Sequence, residues 1–432
     1  MLAAMSASPL TPRSPGDACA RSSADACPGA LRLHRADDGA LARIRIPGGV
    51  LTPRQARALG KAAGRLGDGE LHLTSRGNVQ LRGLAPDCGA ELAGLLDAAG
   101  LLPSERHERV RNVVASPLSG LDGGGAADVG PWLAELDRLL CGSDRATRLS
   151  GRFLFALDDG RGDVDALGAD LALVGLGAGA ALRVGSADTV FRLPAADGPR
   201  ALLAAAGAFL DAADGTGAWR VEDLPDDAKA ALPDEVVRRL RQAGIASSPG
   251  RHPRPLEARS PAPGPVPHGR RATALSVGVP LGRLDLTQWQ LLSGAGGMRL
   301  TPWRGVVVTG VTPGAAAALA GTLAEAGLIT GRGSPWAGVG ACIGQPGCAK
   351  SLADVRAQAG AAVGPPGRLP VYWSGCERRC GHPRGEWIDV VATPDGHRIS
   401  HVRGDRADGP VTVRDDPAAL AAAVASARGS GD

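Results

Sequence analysis

One block of this chain occurs twice. Residues 73–101 (LTSRGNVQLRGLAPDCGAELAGLLDAAGL) align without a gap on residues 300–328 (LTPWRGVVVTGVTPGAAAALAGTLAEAGL), with 13 identities in 29 positions at an offset of 227. Thr74/Thr301, Gly83/Gly310, Pro86/Pro313 and Gly100/Gly327 are among the matches. A solenoid needs three or more units to bury its faces, so two copies predict one body with pseudo-twofold symmetry. In the first copy, Leu41 to Ile46 alternates as a strand does. Thr52 followed by Pro53 signals the start of a helix over 51–67. Residues 70–84 alternate again and read as one strand with a polar middle. A helix over 87–99 ends at Gly100. The corresponding first helix of the second copy, LDLTQWQLLSGAGG, is shorter by about two turns.

A different insert follows each copy. After the first come a helix near 130–141, a strand over 152–157, a strand–turn–strand at 170–193, and helices near 198–213 and 225–243. Within it Gly175, Gly177 and Ala180 match G-x-G-x-x-A, the dinucleotide fingerprint. The following ALRVGSADTVF reads as strand rather than helix, so a glycine-rich hairpin turn is expected there. Residues 249–269 are Pro-rich and read as an exposed linker. After the second copy, strands are expected at 368–374 and 387–392, and the chain past Arg428 is expected to be loose.

Composition narrows the function classes. The chain has 432 residues, enough for two to four domains with sizeable cores. Gly and Pro together make about 22% of it, below the roughly 25–30% of low-complexity chains. Aromatic residues are only 3%, so the cores must be built from Ala, Leu and Val. A net charge of +4 is too mild, and too little clustered, for a nucleic-acid binder. Lysine occurs only at Lys61, Lys229 and Lys350; the remaining basic residues are arginines, which clamp carboxylates in a way lysine cannot. No apolar run is long enough to span a membrane. Residues 1–26 lack the basic start and apolar core of a secretory signal and read as a disordered tail. A cytoplasmic location is therefore expected, with the eight cysteines as ligands or buried thiols rather than disulfides.

Four cysteines fall together: Cys342-x5-Cys348 in GACIGQPGCAK, and Cys376-x3-Cys380 in WSGCERRCGHP. Glycine and proline at both places free the backbone to wrap a bulky inorganic core. Four thiolates in two close pairs suit a [4Fe–4S] cluster. Structural zinc favours C-x2-C pairs, so these spacings weigh against it, with inert thiols as a further alternative. Cys19, Cys27, Cys88 and Cys141 are scattered and carry no assignment.

The C-x5-C…C-x3-C pattern, the LTSRGNVQLRG segment and the two-copy repeat together resemble the nitrite/sulfite reductase family, over about residues 27–425. Within it, CPGALRLHRADDGALARIRIPGG, RNVVASPLSGLD and YWSGCERRCGHP look most like the precorrin-3B synthase branch. The resemblance implies a mixed α/β (α+β) fold: two ferredoxin-like half-domains with pseudo-twofold symmetry and two α/β domains, the second carrying an iron–sulfur cluster. The expected divisions are a tail (1–26), half-domain 1 (27–105), a nitrite/sulfite-reductase-type α/β domain (106–248), the linker (249–269), half-domain 2 (270–335) and a cluster-binding domain (336–427).

The resemblance also implies a tetrapyrrole site. By motif match Arg76 and Arg111 hold its carboxylates, and paired guanidinium groups suit that task. Asn78, Gln80 and Arg82 alternate with Arg76 and are expected on one strand face. Siroheme reductases continue with two cations one residue apart; here SGRFLFAL supplies Arg152 but then Leu154. That departure fits a tetrapyrrole that comes and goes as substrate. The branch implies O2-dependent hydroxylation of precorrin-3A at C20 with γ-lactone formation, in aerobic cobalamin biosynthesis. Electrons would come from a ferredoxin or NADH-dependent reductase and pass through the cluster. A siroheme-dependent nitrite or sulfite reductase is the alternative, with Cys380 then bridging to the haem. A mononuclear non-haem iron is also implied; His34, His72, His107 and His382 are candidates, but none has a partner at helical ligand spacing, and none is assigned.

Overall fold

The computed structural model describes residues 28–252, 258–268, 272–383, 385–404, 406–414 and 416–429. Cys19 and Cys27 lie outside the described residues. Four sheets organise the described residues. The first half-domain contributes strands His34–Ala36, Gly39–Ile44, Val79–Leu84 and Glu70–Leu73, in that spatial order, with helices Pro53–Leu66 and Gly89–Ala98. The second repeats it with Gly264–His268, Ala272–Gly278, Gly305–Val311 and Gly297–Leu300, and helices Leu286–Ala295 and Pro313–Glu325.

Neither sheet is complete by itself. Arg283–Asp285, from the second half, pairs antiparallel with Glu70–Leu73 of the first. Val50–Leu51, from the first, pairs with Gly297–Leu300 of the second. Each half thus closes the other's open edge. The apolar faces merge into one core in which Leu59, Leu71, Leu81, Leu284, Leu292 and Val308 are all fully buried. Trp289 crosses the pseudo-twofold: it is fully buried, and its Nε1–H donates to the Ala56 carbonyl at 2.7 Å. Gly60 makes room for it, since a Cβ there would lie 2.8 Å from the indole. That close approach offsets the roughly 0.5–1 kcal/mol that glycine costs inside a helix.

The repeat persists in conformation where it has faded in sequence. Both first helices begin with a full capping box, Thr52 with Gln55 and Asp285 with Gln288. Gly77 turns with φ 65°, and its counterpart Arg304 holds φ 57° in the same left-handed region. Only a shared turn geometry explains a bulky residue there. The helices have 14 and 10 residues, so the second is shorter by one turn rather than two; the connection to the next strand accounts for the rest.

The sequence expectation of one strand over 70–84 is corrected. Residues 74–78 form a turn, stapled by the Thr74 hydroxyl, which accepts from the Arg76 and Asn78 amides. Glu70–Leu73 and Val79–Leu84 are therefore the two arms of a hairpin. The first insert forms a six-stranded sheet, in which Val113–Ala115, Phe155–Asp158 and Leu171–Gly175 run parallel. Gly175 pairs with Ala180 across a hairpin, so the G-x-G-x-x-A segment is a turn between antiparallel strands. Within the expected linker, Ser248–Arg251 forms the edge strand of this six-stranded sheet and Gly264–His268 opens the second half-domain's sheet, while residues 253–257 and 269 lie outside the described residues. The last sheet takes Val339–Ala341, Val371–Ser374 and Glu386–Thr393 in parallel, then Gly396–Arg403 and Arg406–Val413 antiparallel, covered by Val355–Ala361 and Pro417–Arg428.

Trp289→Ala should cost about 3–5 kcal/mol, the usual range for emptying a buried Trp site. Chemical denaturation should show it as a lowered midpoint, with the two half-domains lost together because they share one core.

Candidate functional site: an arginine-walled cavity and a four-cysteine centre

A cavity of about 410 Å³ opens at the tip of the Glu70–Leu84 hairpin. Four guanidinium groups wall it: Arg43, Arg45, Arg76 and Arg152. Arg43 and Arg45 are two apart at the end of one strand, so they share a face. Arg45 Nη2 and Arg76 Nη1 both donate to the Gly151 carbonyl, at 3.3 and 3.4 Å. Gln80 accepts from Arg43 at 3.3 Å and so steadies it. Arg152 lies over the Trp219 ring, 4.3 Å from its centroid, a cation–π contact that fixes its plane. No carboxylate is among the described residues lining this space. Concentrated positive charge in a concave site selects anions, and guanidinium groups select carboxylates. The volume is at the low end for a ligand pocket, matching the carboxylate-bearing edge of a larger molecule.

The sequence-predicted residues divide here. Arg76, Asn78 and Arg152 meet in the cavity. Asn78 is 1% exposed and already committed, accepting from the Ile46 amide at 2.9 Å and donating to Asn112 at 3.2 Å. Arg76 sits in the turn and not on a strand face shared with Gln80 and Arg82. Arg111 is placed elsewhere. It is not in the cavity: its Nε and Nη2 form a two-pronged pair with Asp137 at 2.7 and 2.8 Å, and Nη1 donates to the Leu101 carbonyl. Leu154 is buried in an apolar cluster with Val114, Val164 and Trp303, so its position presents no cation to a ligand. Sequence reasoning missed Arg43 and Arg45; their i, i+2 spacing at the end of the LARIRIP strand was the available signal.

The cysteine loops lie against the arms of the same hairpin, through Arg82 and His72. Cys342 follows Val339–Ala341 directly, and Cys376 follows Val371–Ser374. These strands are parallel neighbours, so both cysteines leave from their carboxyl ends, the usual place for a site in such a sheet. Cys342, Cys348 and Cys376 are half-buried and Cys380 is exposed. Burial pushes the Cys342 thiol up; the Gly375 and Gly344 amides oppose this, and Cys376 and Cys348 add to it. Burial and Cys376 likewise raise Cys380, with smaller contributions from Cys342 and Cys348. The four thiols therefore feel one another. The Gly375 N–H already points at the Cys342 sulfur, 3.2 Å away.

Among the described residues, no three of these sulfurs lie within 4.8 Å of one another. One tetrahedral zinc ion would bring all four to about 3.8 Å, given Zn–S bonds of about 2.3 Å. Four thiols in two loops, with amide N–H groups directed at the Cys342 sulfur, are a donor set of the kind that can hold an iron–sulfur core. Cys88 packs against the half-domain core and Cys141 closes helix Gly130–Cys141, both apart from this group.

The candidate histidines do not assemble an iron site. His107 is held by the Ser104 hydroxyl and the Ser143 carbonyl. His382 stacks on Trp387 with centroids 5.0 Å apart, and His34 lies exposed on an edge strand. His72 does have two carboxylates near its Nε2, Glu70 at 3.6 Å and Asp68 at 4.0 Å. Its Nδ1, however, faces Arg356 Nη1 at 3.2 Å. A guanidinium only donates, so Nδ1 accepts and Nε2 keeps its proton. A metal-bound histidine needs the reverse arrangement. These residues do not fit a mononuclear iron as they stand. A second acidic group, Asp158, Asp159 and Asp163, is consumed internally: Asp158 accepts from the amides of Gly160, Gly162, Val164 and Asp165, and Asp159 pairs with Arg161.

Arg111→Met should lower stability by about 2–4 kcal/mol, because it strands Asp137. Its affinity for a polycarboxylate tetrapyrrole should be unchanged, as read by a thermal melt beside a binding titration.

Comparison with known proteins agrees with this geometry. Residues 33–99 match the nitrite/sulfite reductase ferredoxin-like half domain. The chain is similar to a precorrin-3B synthase of Sinorhizobium sp, 29% identical over 393 residues, covering 87% of this chain and 82% of that protein. It is similar over a shorter stretch to a ferredoxin–nitrite reductase of Synechococcus elongatus, 35% identical over 127 residues, covering 28% of this chain and 25% of that one. Its fold matches the structure of the Mycobacterium tuberculosis NirA protein with a TM-score of 0.64 at 20% identity, over 87% of this chain and 77% of that one. No helix among the described residues is long and apolar enough to cross a membrane. With its exchanged half-domains, the chain carries a nitrite/sulfite reductase ferredoxin-like half domain at residues 33–99 and shares the fold of the NirA protein.

Proposed function

We propose that this chain is an oxidoreductase that hydroxylates a metal-free tetrapyrrole, precorrin-3A, at C20. One atom of O2 enters the substrate and the other leaves as water, with two electrons and two protons supplied from outside. The hydroxylated ring then closes a γ-lactone with a ring A acetate. The observation that carries this reading is Leu154. Where a siroheme reductase would set a second cation, this chain turns an apolar side chain into a closed cluster and leaves Arg152 alone on its segment. A reversibly bound substrate suits that weaker grip. The likeness to a precorrin-3B synthase along most of both chains supports it.

The geometry supports the following residue roles. Arg43, Arg45, Arg76 and Arg152 bind acetate and propionate groups, and Trp219 and Gln80 orient two of them. Asn78 and Asn112 tie the hairpin tip to the Phe153 carbonyl, holding the cavity's two walls in register. Cys342, Cys348, Cys376 and Cys380 would hold a [4Fe–4S] cluster. When bound, that cluster supplies one-electron transfer from an external ferredoxin-type donor. The second reading is siroheme-dependent nitrite or sulfite reduction. The exposure of Cys380 favours it, since the last cysteine is then open to a haem iron.

Anaerobically purified protein should show a broad iron–sulfur absorbance without porphyrinoid bands, and Cys348→Ser should lose it. With precorrin-3A and labelled dioxygen, the product should carry one labelled oxygen. Sharp siroheme bands together with nitrite turnover would overturn this in favour of the second reading. Arg76→Ala and Arg152→Ala should each weaken tetrapyrrole binding about tenfold or more, the worth of one charge-assisted contact. Fluorescence quenching would measure it.

A further inference from the structure

We propose that the first half-domain is part of the electron-carrying site: through His72 it holds the Arg356 guanidinium against the Cys342 loop, where this cation stabilises the reduced state of the cluster. The inference rests on the [4Fe–4S] reading above.

Arg356 lies on the short helix Val355–Ala361, just past the first pair of cysteines. Its Nε donates to the backbone carbonyl of Cys342 at 3.2 Å, and its Nη1 to His72 Nδ1 at 3.2 Å. Both partners are neutral. Among the described residues no carboxylate pairs with it; Glu70, which lies nearby, is engaged by Arg283 at 3.4 Å. Arg356 is half-buried, and the neighbouring Arg283 and Arg304 add positive charge beside it rather than balance it. A half-buried guanidinium with no carboxylate paired to it is costly. Four thiolates around an iron–sulfur core carry net negative charge beside it, and one more electron increases that charge. The cation is then balanced, most strongly in the reduced state. Net charge and hydrogen bonding near the sulfurs are the means by which a protein sets such a potential.

His72 is what fixes Arg356 there. It is 7% exposed, and burial keeps its pKa below the ordinary value, so the neutral ring can accept from the guanidinium. Asp68 and Glu70 face its Nε2 and favour the proton on that side. The same hairpin grips the second cysteine loop. Arg82, 4% exposed and paired with Asp38 at 2.7 Å, donates to the Gly347 carbonyl at 2.8 Å. Asp37 accepts from the Ala349 amide at 2.5 Å. The backbone on both sides of Cys348 is thus held from the first half-domain. Gly347 is packed into the grip: a Cβ there would lie 2.8 Å from Asp38 and 3.0 Å from Arg82. Because Asp38 neutralises Arg82, that arm acts through geometry, and Arg356 is the arm that acts through charge.

The test is a redox titration of the assembled cluster, followed by electron paramagnetic resonance without any tetrapyrrole, beside iron and sulfide analysis. Arg356→Gln should keep full iron and sulfide and shift the midpoint to more negative potential. Arg356→Lys should return it most of the way. His72→Leu should shift it in the same direction by less, since Arg356 can then swing into the cavity lined by Asp285 and Trp336. If Gln loses the cluster while Lys keeps it, the charge requirement stands. An unshifted midpoint in fully loaded Arg356→Gln overturns the inference, as does loss of the cluster in both variants. A wild-type chain that assembles no four-iron cluster overturns the underlying reading, and this inference with it.

Discussion

The exchange of one short strand in each direction between the half-domains is the constraint on which everything else depends. Val50–Leu51 and Arg283–Asp285 are too short to be stable alone, yet each completes the other half's sheet. The exchange forces the two helices that follow, Pro53–Leu66 and Leu286–Ala295, to pack across the pseudo-twofold through Trp289. Once that core is closed, the hairpin Glu70–Leu84 has only one place to go. It stands with its tip toward the six-stranded sheet and its arms against the cysteine loops.

That placement gives the hairpin two jobs. Its tip carries Arg76 into the arginine-walled cavity, and its arms carry His72 and Arg82 to the loops of Cys342 and Cys348. In the second copy the equivalent turn carries Arg304, which donates to the Gly381 carbonyl beside Cys380, while Trp303 packs toward Leu154. One repeated unit thus serves a ligand cavity and a redox centre. Divergence at single turn positions, Gly77 against Arg304, is enough to separate the tasks.

The role of Arg111 shows how a motif and a structure can part. Its place in the RVRNVVAS segment suggested a ligand contact. A neighbouring helix supplies Asp137 at two-pronged distance, and a guanidinium satisfied by a carboxylate and a carbonyl has little left for a ligand. Its neighbour Asn112 does join the site, through Asn78. Arg43 and Arg45 went unremarked because two arginines on a strand look like any solvated edge until the opposite wall is in place.

The sequence by itself determined the features that short-range physics governs. Period-two and helical patterns, the Thr52–Pro53 cap, the Gly175–Ala180 turn and the spacing of Cys342, Cys348, Cys376 and Cys380 are all local, and the repeat followed from comparing one stretch with another. The tertiary structure alone decided the rest. The exchange of strands, the gathering of four arginines around one cavity, and the reach of Arg82 and His72 to loops more than 260 residues away depend on distant segments packing together. Local patterning carries no record of such partners, because a guanidinium on a long flexible stem takes whichever acceptor the folded neighbours bring within its reach.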